Sequence, residues 1–335
     1  MRFFNTAGPV KCDDHYCLPP LTRFDLDEIL YLISQKKYFI LHAPRQTGKT
    51  SCLLALMKHL NSGEKYRCLY LNVEAAQGAR ENVYRGMRAI LSEMTDRAEY
   101  HLDDDSLHVI CPEMLEKRGE DAALNAVISK WSMKSSKPII LLIDEIDSLI
   151  GDTLISVLRQ IRAGYDKRPA AFPQSIILCG VRDVRDYRIH SDREKTVITG
   201  GSAFNIKAES LRLGDFCREE VESLYMSHTE ETGQEFSEDA VNAAWELSEG
   251  QPWLVNALGY EVCFDMKANR DRSVSITGDM VHQAGENLIL RRETHIDQLA
   301  DKLREKRVQC VIEPLLAGND KPKDAAEDDI LYVKD

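Results

Sequence analysis

The chain has 335 residues, a formal net charge of −12 at pH 7 and a hydrophobic fraction of 43%. At roughly 100–200 residues per domain, this length predicts two or three globular domains with ordinary cores. The acidic balance argues against a broad electrostatic grip on nucleic acid, although it leaves room for a local basic patch. No apolar run reaches the roughly 20 residues of a membrane-spanning helix, and the first residues lack the apolar core of a signal peptide.

The nine cysteines show no paired spacing. This pattern predicts reduced, mostly structural thiols and a cytoplasmic protein, because disulfides persist mainly in oxidising compartments. Cys12, His15 and Cys17 are close in sequence, but their spacing fits no strong zinc pattern. Cys12 and Cys17 are therefore expected to be flexible thiols.

Residues 1–30 are predicted to form an extended N-terminal arm. Pro19 and Pro20 prevent a helix within it, because proline lacks the N–H that a helix interior needs. Helix signals then run from Asp25 through Ser34, and an apolar strand is predicted at Tyr38–His42.

The segment Ala43–Thr50, with the sequence APRQTGKT, follows this strand and precedes a predicted helix at Ser51–Leu60. Strand, loop, Gly-Lys-Thr and helix in this order are typical of a phosphate-binding loop, because backbone N–H groups and the helix N-terminus favour anions. Lys49 is expected to be exposed and to reach the β- and γ-phosphates. The usual first glycine is Ala43, so this position must accept an ordinary L-residue backbone. The predicted nucleotide-binding residues here are Ala43, Pro44, Arg45, Gln46, Thr47, Gly48, Lys49, Thr50 and Ser51.

A second motif lies about a hundred residues further on, where the apolar run Pro138–Ile143 ends in Asp144, Glu145, Ile146 and Asp147. Such a run is typical of a strand buried on both faces of a parallel sheet, and ligands bind at the carboxyl ends of such strands. Asp144 is predicted to bind Mg²⁺ through water, together with the Thr50 hydroxyl. Glu145 is placed to polarise the attacking water. Asp147 is expected to cap the next helix or to bind a sensor residue. The two motifs together predict an ATP or GTP site.

The remaining strands and helices alternate, which predicts βαβ units and a parallel sheet. The stretch between Val181 and Ala203 is interpreted as a polar loop, and the acidic stretch Asp103–Asp105 as part of a connection. The other predicted strands are Arg67–Val73, Ser175–Val181 and Ala203–Leu211, and the helices are Ala79–Ala98, Asp121–Lys130 and Thr153–Ala163.

After residue 211 the strand signals stop, and residues 212–290 are predicted to be an all-α unit. Its helices are Asp215–Thr232, one capped by Ser237, one beginning at Pro252 and one capped by Thr277.

Residues 291–335 form a tail with a predicted helix to Lys306, a second helix near Cys310–Leu315 and a strand at Ile330–Val333. These elements make an incomplete core, so the chain is expected to stop partway through a third domain. The basic cluster between Arg291 and Arg307 is interleaved with acidic residues, which favours a solvated helix face.

Taken together, these motifs resemble AAA+ ATPases, and most closely the branch that includes STAND signalling ATPases and origin-recognition-like ATPases. The runs His42–Thr50 and Gly250–Ala257 are similar to those of the uncharacterised bacterial "AAA-like domain" proteins, and the resemblance covers roughly residues 1–316. It implies an α/β P-loop NTPase parallel sheet of the AAA+/ASCE type over residues 31–211. It also implies an all-α lid over 212–290 and a partial winged-helix-like domain over 291–335.

The resemblance also implies roles for two positions outside the two motifs. Arg182 directly follows the predicted strand Ser175–Val181 and matches a sensor position that detects the γ-phosphate. The alternative is a surface ion pair with Asp183 or Asp186. Pro252, in the sequence Gly-Gln-Pro, matches a lid motif that packs near the nucleotide; the alternative is a plain helix start.

Further positions match family features less closely. Arg185 and Arg188 are candidates for the same site or for a finger that reaches a neighbour's nucleotide. Asn72, near the end of the predicted strand Arg67–Val73, is a candidate to restrain Glu145. The alternative is that its side chain makes a turn contact. The segment Tyr16–Arg23 resembles one that contacts adenine in related ATPases.

The sequence therefore predicts a cytoplasmic, Mg²⁺-dependent ATPase that acts as a nucleotide-driven conformational switch and is slow without a partner. Glu145, Lys49 and Arg182 are the predicted catalytic residues, Thr50 and Asp144 the metal ligands, and ATP and Mg²⁺ the cofactors. One alternative is a non-hydrolysing, nucleotide-dependent scaffold or regulator; the other is a DNA-associated ATPase of replication, transposition or defence. The expected partners are ATP or ADP and a protein or second copy of the chain, with DNA less favoured and no membrane.

Overall fold

The computed structural model describes residues 1–183, 188–191, 196–199, 201, 204–291, 303 and 306–316. The chain divides into two compact units, one of Pro19–Gly214 and one of Met1–Leu18 with Asp215–Asp335. Residues 1–30, predicted as one arm, are thus shared between the two units. The domain boundaries stated above stay predictions.

A five-stranded sheet forms the centre of the Pro19–Gly214 unit. In chain order the strands of the described residues are β1 (Phe3–Phe4), β2 (His15–Tyr16), β3 (Tyr38–His42), β4 (Arg67–Asn72), β5 (Ile139–Asp144), β6 (Ser175–Gly180), β7 (Arg188–Ser191), β8 (Thr196–Thr199) and β9 (Lys207–Arg212). In the central sheet the strands run in the order β4-β5-β6-β3-β9, and every neighbouring pair is parallel. This arrangement confirms the predicted parallel sheet with flanking helices.

The central strands are buried on both faces because helices cover the sheet on each side. All six residues of β5 and all six of β6 are buried, as the continuous apolar runs predict. The helices of this unit are α1 (Leu26–Ser34), α2 (Lys49–Ser62), α3 (Val83–Leu102), α4 (Leu107–Arg118), α5 (Ala123–Lys134) and α6 (Gly151–Ala163).

Helix α4 corrects the prediction of a connection after the acidic stretch. Its buried residues Leu107, Ile110, Cys111 and Met114 have the spacing of one helix face. Pro112 lies inside this helix. The proline and the weak apolar pattern around it hide the helix in the sequence, and packing against α3 and α5 stabilises it.

The stretch interpreted as a polar loop also contains regular structure. Strands β7 and β8 pair in antiparallel fashion, with Ile189 opposite Ile198. The strand predicted at Ala203–Leu211 begins later, at Lys207, and ends at Arg212. A short hairpin with few apolar residues carries a weak sequence signal, because cross-strand pairing rather than local pattern stabilises it.

The second unit is mostly helical and has its own apolar core. The short strands β1 and β2 belong to it, and Phe4 and Tyr16 are fully buried there. A segment of π-helix, Glu261–Asp265, follows its third helix. The helices of this unit are α7 (Arg218–Thr232), α8 (Glu238–Ser248), α9 (Pro252–Tyr260), α10 (Gly278–Leu290) and α11 (Lys306–Leu316).

Cys12 and Cys17 form a disulfide, with their Cα atoms 5.5 Å apart, so the expectation of two flexible thiols is wrong. A turn brings the two residues together, because the amides of Asp14 and His15 both donate to the carbonyl of Lys11. Phe4 and Tyr16, on either side of this turn, are buried in the core of the helical unit and hold the turn in place.

Part of the tail lies outside the described residues, and this includes the strand predicted at Ile330–Val333. The described part contains α11, which spans the helix predicted near Cys310–Leu315. In the part of the chain that the structure describes, no helix combines the length and the hydrophobicity needed to cross a membrane.

Candidate functional site

The loop Ala43–Thr50 joins β3, in the interior of the sheet, to the first turn of α2. Ala43 is fully buried, and its amide donates to the Gly180 carbonyl at 3.2 Å. Positive φ angles occur instead at Gln46, at 63°, and at Gly48, at 90°. The replacement of the usual first glycine is therefore accommodated, because the left-handed positions of this loop lie further along.

The N-terminus of α2 opens onto this loop. Gly48 is the N-cap residue, and none of the described side chains caps the helix there. The Thr47 hydroxyl donates to the Pro44 carbonyl at 2.9 Å and so braces the loop itself. The first N–H groups of a helix have no partner within the helix, so this end favours an anion such as phosphate.

Lys49 corrects an expectation, because its side chain is buried and only 6% exposed. Its ammonium group donates to the carbonyls of Ala43 and Pro44 at 2.9 and 2.8 Å. A buried ammonium needs such acceptors, and the loop backbone supplies them. The positive charge is thereby held within the curve of the loop.

The two predicted metal ligands lie together. The Thr50 hydroxyl donates to Oδ2 of Asp144 at 2.7 Å, although the two residues are 94 positions apart. Asp144 is fully buried at the carboxyl end of β5. A hydroxyl and a carboxylate are the hard oxygen ligands that Mg²⁺ prefers, so the residues present fit this ion.

Further donors surround the Asp144 carboxylate. The Tyr70 hydroxyl donates to Oδ2 at 3.0 Å, and the amide of Glu145 donates to Oδ1 at 3.0 Å. The Cys179 thiol is a third neighbour that interacts with this carboxylate. Burial and the charge of Asp144 both raise the pKa of the Tyr70 and Cys179 groups, so each stays a neutral donor.

The sequence analysis assigned no role to Tyr70 or Cys179. The signal for Tyr70 was available in the strand pattern, since Tyr70 and Asn72 are two residues apart and share one face of β4. What was missing was the register, in which Asn72 pairs with Asp144 on the adjacent strand.

Glu145 directly follows the metal carboxylate and has a left-handed backbone, with φ of 57°. Such a conformation is uncommon for glutamate and occurs often at functional sites. Burial, followed by the charges of Asp144 and Asp147, raises the pKa of its carboxyl group above the usual value. A raised pKa is a property of many general bases, and it is compatible with the predicted role.

Asp147 holds the end of β6. Its Oδ1 accepts a hydrogen bond from the Val181 amide at 3.1 Å. Arg182 is the next residue, in the bend that leads out of this strand. Of the weaker candidates, Arg185 lies outside the described residues and Arg188 is the first residue of β7. Asp147 thus anchors the turn that carries the predicted sensor.

The Asn72 side chain makes the turn contact that was the alternative to a role in restraining Glu145. Its Oδ1 accepts a hydrogen bond from the Glu74 amide at 2.8 Å.

Arg23, the last residue of the segment Tyr16–Arg23 predicted to contact adenine, lies near the phosphate loop. Its guanidinium donates to the Thr47 carbonyl at 3.4 Å and to the Gly214 carbonyl at 2.6 Å. It therefore links the phosphate loop to the last residue of this unit.

Pro252 lies in the helical unit, at the first turn of α9. Gly250 has a φ of 80°, and a Cβ there would lie 2.0 Å from the Phe216 carbonyl oxygen, so this position requires glycine. The Gln251 side chain caps the helix by accepting from the Leu254 amide at 2.6 Å. The sequence Gly-Gln-Pro builds a helix start, and its predicted contact with nucleotide stays a prediction.

Comparison with known proteins places the fold. Residues 32–187 match the family model described as the AAA domain. The Walker-type ATPase paby2304 of Pyrococcus abyssi is similar over 99% of this chain and 91% of its own, with 15% identity and a TM-score of 0.60. Cdc6p of Pyrobaculum aerophilum is similar over 80% of this chain and 65% of its own, with 15% identity and a TM-score of 0.52.

A third structure, the ORC2 protein of Aeropyrum pernix in ADPNP–ADP complexes, is similar over 88% of this chain and 72% of its own, with 15% identity and a TM-score of 0.51. No functionally curated protein matches the sequence. At these identities the likenesses concern the fold. The chain thus has the fold of P-loop ATPases, and its residues 32–187 are similar to the AAA domain.

Proposed function

We propose that the protein binds and hydrolyses ATP in a Mg²⁺-dependent reaction that drives a conformational switch. The contact between the Thr50 hydroxyl and the Asp144 carboxylate carries this proposal, because it joins the two sequence motifs in one set of metal ligands. We further propose a place in the STAND-like branch, near the "AAA-like domain" proteins. We also propose a cytoplasmic location, because the seven cysteines outside the Cys12–Cys17 disulfide are free thiols.

The loop supplies binding and charge rather than covalent chemistry. The N–H groups at the start of α2 and the Lys49 ammonium would hold the phosphate oxygens. Thr50 and Asp144 would hold Mg²⁺, which would supply positive charge beside the bound phosphates. Glu145 would then orient and polarise the water that attacks the γ-phosphate in line. Arg182, held by the turn that Asp147 anchors, would sense that phosphate.

The charge distribution favours this function over a DNA-associated one. The net charge is −12. Within the basic cluster, Arg291 is occupied by two acidic partners, with Glu261 and Asp265 each at 2.8 Å. A non-hydrolysing scaffold is the remaining alternative, and the presence of Glu145 directly after Asp144 favours hydrolysis over it.

The direct test is ATP turnover by the full chain with Mg²⁺ and with EDTA. We expect slow hydrolysis that requires Mg²⁺ and is changed little by double-stranded DNA. Calorimetry should show ATP binding that strengthens when Mg²⁺ is added. Tight binding with no turnover would favour the scaffold, and a large stimulation by DNA would favour the DNA-associated alternative.

Trp253 offers a readout of the proposed switch, because it follows Pro252 in the predicted lid motif. Its indole nitrogen donates to the Thr6 carbonyl at 3.0 Å, and its ring is half-buried against the helical core. We expect its fluorescence to change with Mg²⁺ and a non-hydrolysable ATP analogue, and to change less with ADP, because closure of a cleft expels water. Trp253→Phe should remove the change. Identical wild-type spectra without nucleotide, with ADP and with the ATP analogue would mean that Trp253 is a packing residue only.

A further inference from the structure

The Tyr70 hydroxyl occupies an unusual position for a buried tyrosine. Its ring packs in the core between the sheet and α2, and Arg97 lies over the ring at 5.5 Å. The hydroxyl donates to Oδ2 of Asp144, the same oxygen that accepts from Thr50. Two donors from different elements therefore converge on one carboxylate oxygen.

A second polar side chain, that of Asn72, contacts the Tyr70 hydroxyl. The Glu74 amide donates to Oδ1 of Asn72. The Asn72 side chain also interacts with the Tyr70 hydroxyl and opposes the rise in the pKa of the phenol, as a donor to the phenolic oxygen does. The phenol proton itself is directed at Asp144. The result is a chain of polar contacts from Asn72 through Tyr70 to Asp144.

This chain matters because the last torsion of an aspartate is soft. Rotation of a carboxylate about that torsion is broad and roughly two-fold, so packing alone defines it poorly. The Glu145 amide holds Oδ1, while Tyr70 and Thr50 hold Oδ2. Removing the Tyr70 hydroxyl would leave a fully buried carboxylate with fewer donors and a less defined orientation.

We propose that Tyr70 is a positioning residue for the metal site: its hydroxyl, oriented by Asn72, holds the Asp144 carboxylate in the geometry that binds Mg²⁺. The proposal rests on the function proposed above. It adds that strand β4, which lies outside the two sequence motifs, also determines the affinity for the metal. Loss of a hydrogen bond to a metal-binding carboxylate typically weakens metal binding by about 10–100-fold.

The test compares Tyr70→Phe with wild type, using a non-hydrolysable ATP analogue. Its affinity is measured in Mg²⁺ and in EDTA, and Mn²⁺ binding in the presence of the analogue is measured by electron paramagnetic resonance. Tyr38→Phe is the matched control, because Tyr38 is also fully buried but its hydroxyl donates to the Pro173 carbonyl at 3.0 Å, away from Asp144. Asn72→Ala is a second variant that keeps the phenol and removes its donor.

We expect Tyr70→Phe to weaken Mn²⁺ binding about tenfold and to reduce the Mg²⁺-dependent gain in analogue affinity by a similar factor. The affinity for the analogue in EDTA should stay within about twofold of the wild-type value, as expected when the loop itself is intact. Asn72→Ala should weaken Mn²⁺ binding by a smaller factor, and Tyr38→Phe should leave the Mn²⁺ affinity unchanged.

Two other outcomes overturn the inference. Equal Mn²⁺ affinity in Tyr70→Phe and wild type would show that the hydroxyl does not position the carboxylate. Parallel losses in EDTA and in Mg²⁺ would show a structural role only. If Tyr70→Phe does not fold, an unchanged Mn²⁺ affinity in Asn72→Ala overturns the inference in its place. A wild-type protein without metal-dependent binding would instead overturn the proposed function, and that result is visible before any variant is made.

Discussion

Glu145→Gln is expected to retain ATP and to hydrolyse it at least about a hundred times more slowly than the wild type. Glutamine has nearly the size of glutamate but cannot accept a proton from the attacking water. Because Glu145 is only partly buried and its amide, not its side chain, bonds to Asp144, the substitution should leave the metal site in place. Single-turnover measurements with ATP and Mg²⁺ isolate the chemical step from product release.

Asp144→Asn is the comparison that gives this result its meaning. It changes the neighbouring residue, which accepts from both Thr50 and Tyr70, so it should weaken Mg²⁺-dependent binding as well as hydrolysis. Both variants should therefore hydrolyse ATP slowly, but calorimetry should show weakened Mg²⁺-dependent ATP binding only for Asp144→Asn. Equal single-turnover rates for wild type and Glu145→Gln would rule out the assigned role.

The parts of the site that the sequence predicts well are those with local signals. The phosphate loop is defined by neighbouring residues, and its flanking strand β3 begins and ends where predicted, at Tyr38 and His42. The carboxylate strand is predicted nearly as well, because a strand buried on both faces needs an unbroken apolar run. Both motifs carry their own structural context.

The rest depends on contacts that no local pattern encodes. Tyr70 reaches Asp144 only because β4 and β5 are neighbours in the register that pairs Asn72 with Asp144. The burial of Lys49 follows from how its stem and ammonium fit under the loop. Arg23 contacts the loop from 24 residues away in sequence. Such tertiary arrangements are outside the reach of periodicity and composition.

Two misplaced expectations have the same origin. Helix α4 is stabilised by packing although Pro112 argues against it locally. The cysteines at 12 and 17 pair because a turn and the buried residues Phe4 and Tyr16 fix the N-terminal segment on the helical unit. In each case tertiary contacts override the local preference.

Lys49→Ala is expected to abolish measurable ATP binding at micromolar nucleotide. The ammonium group is the charge that the loop holds in place, and alanine removes both this charge and the side chain that carries it. Because the side chain is buried and donates to two carbonyls, the variant should also lose about 1–3 kcal/mol of unfolding free energy. This cost arises because the Lys49 side chain, expected from the sequence to be exposed, is buried.

Lys49→Met separates the two consequences. Methionine keeps most of the apolar stem within the core but has no donor for the carbonyls of Ala43 and Pro44, so its stability should fall between those of alanine and the wild type. Both variants lack the charge, so both should fail to bind ATP in calorimetry even where chemical denaturation shows that they are folded. Full ATP affinity in folded Lys49→Met would mean that the backbone N–H groups alone bind the phosphates, and the role assigned to Lys49 would be wrong.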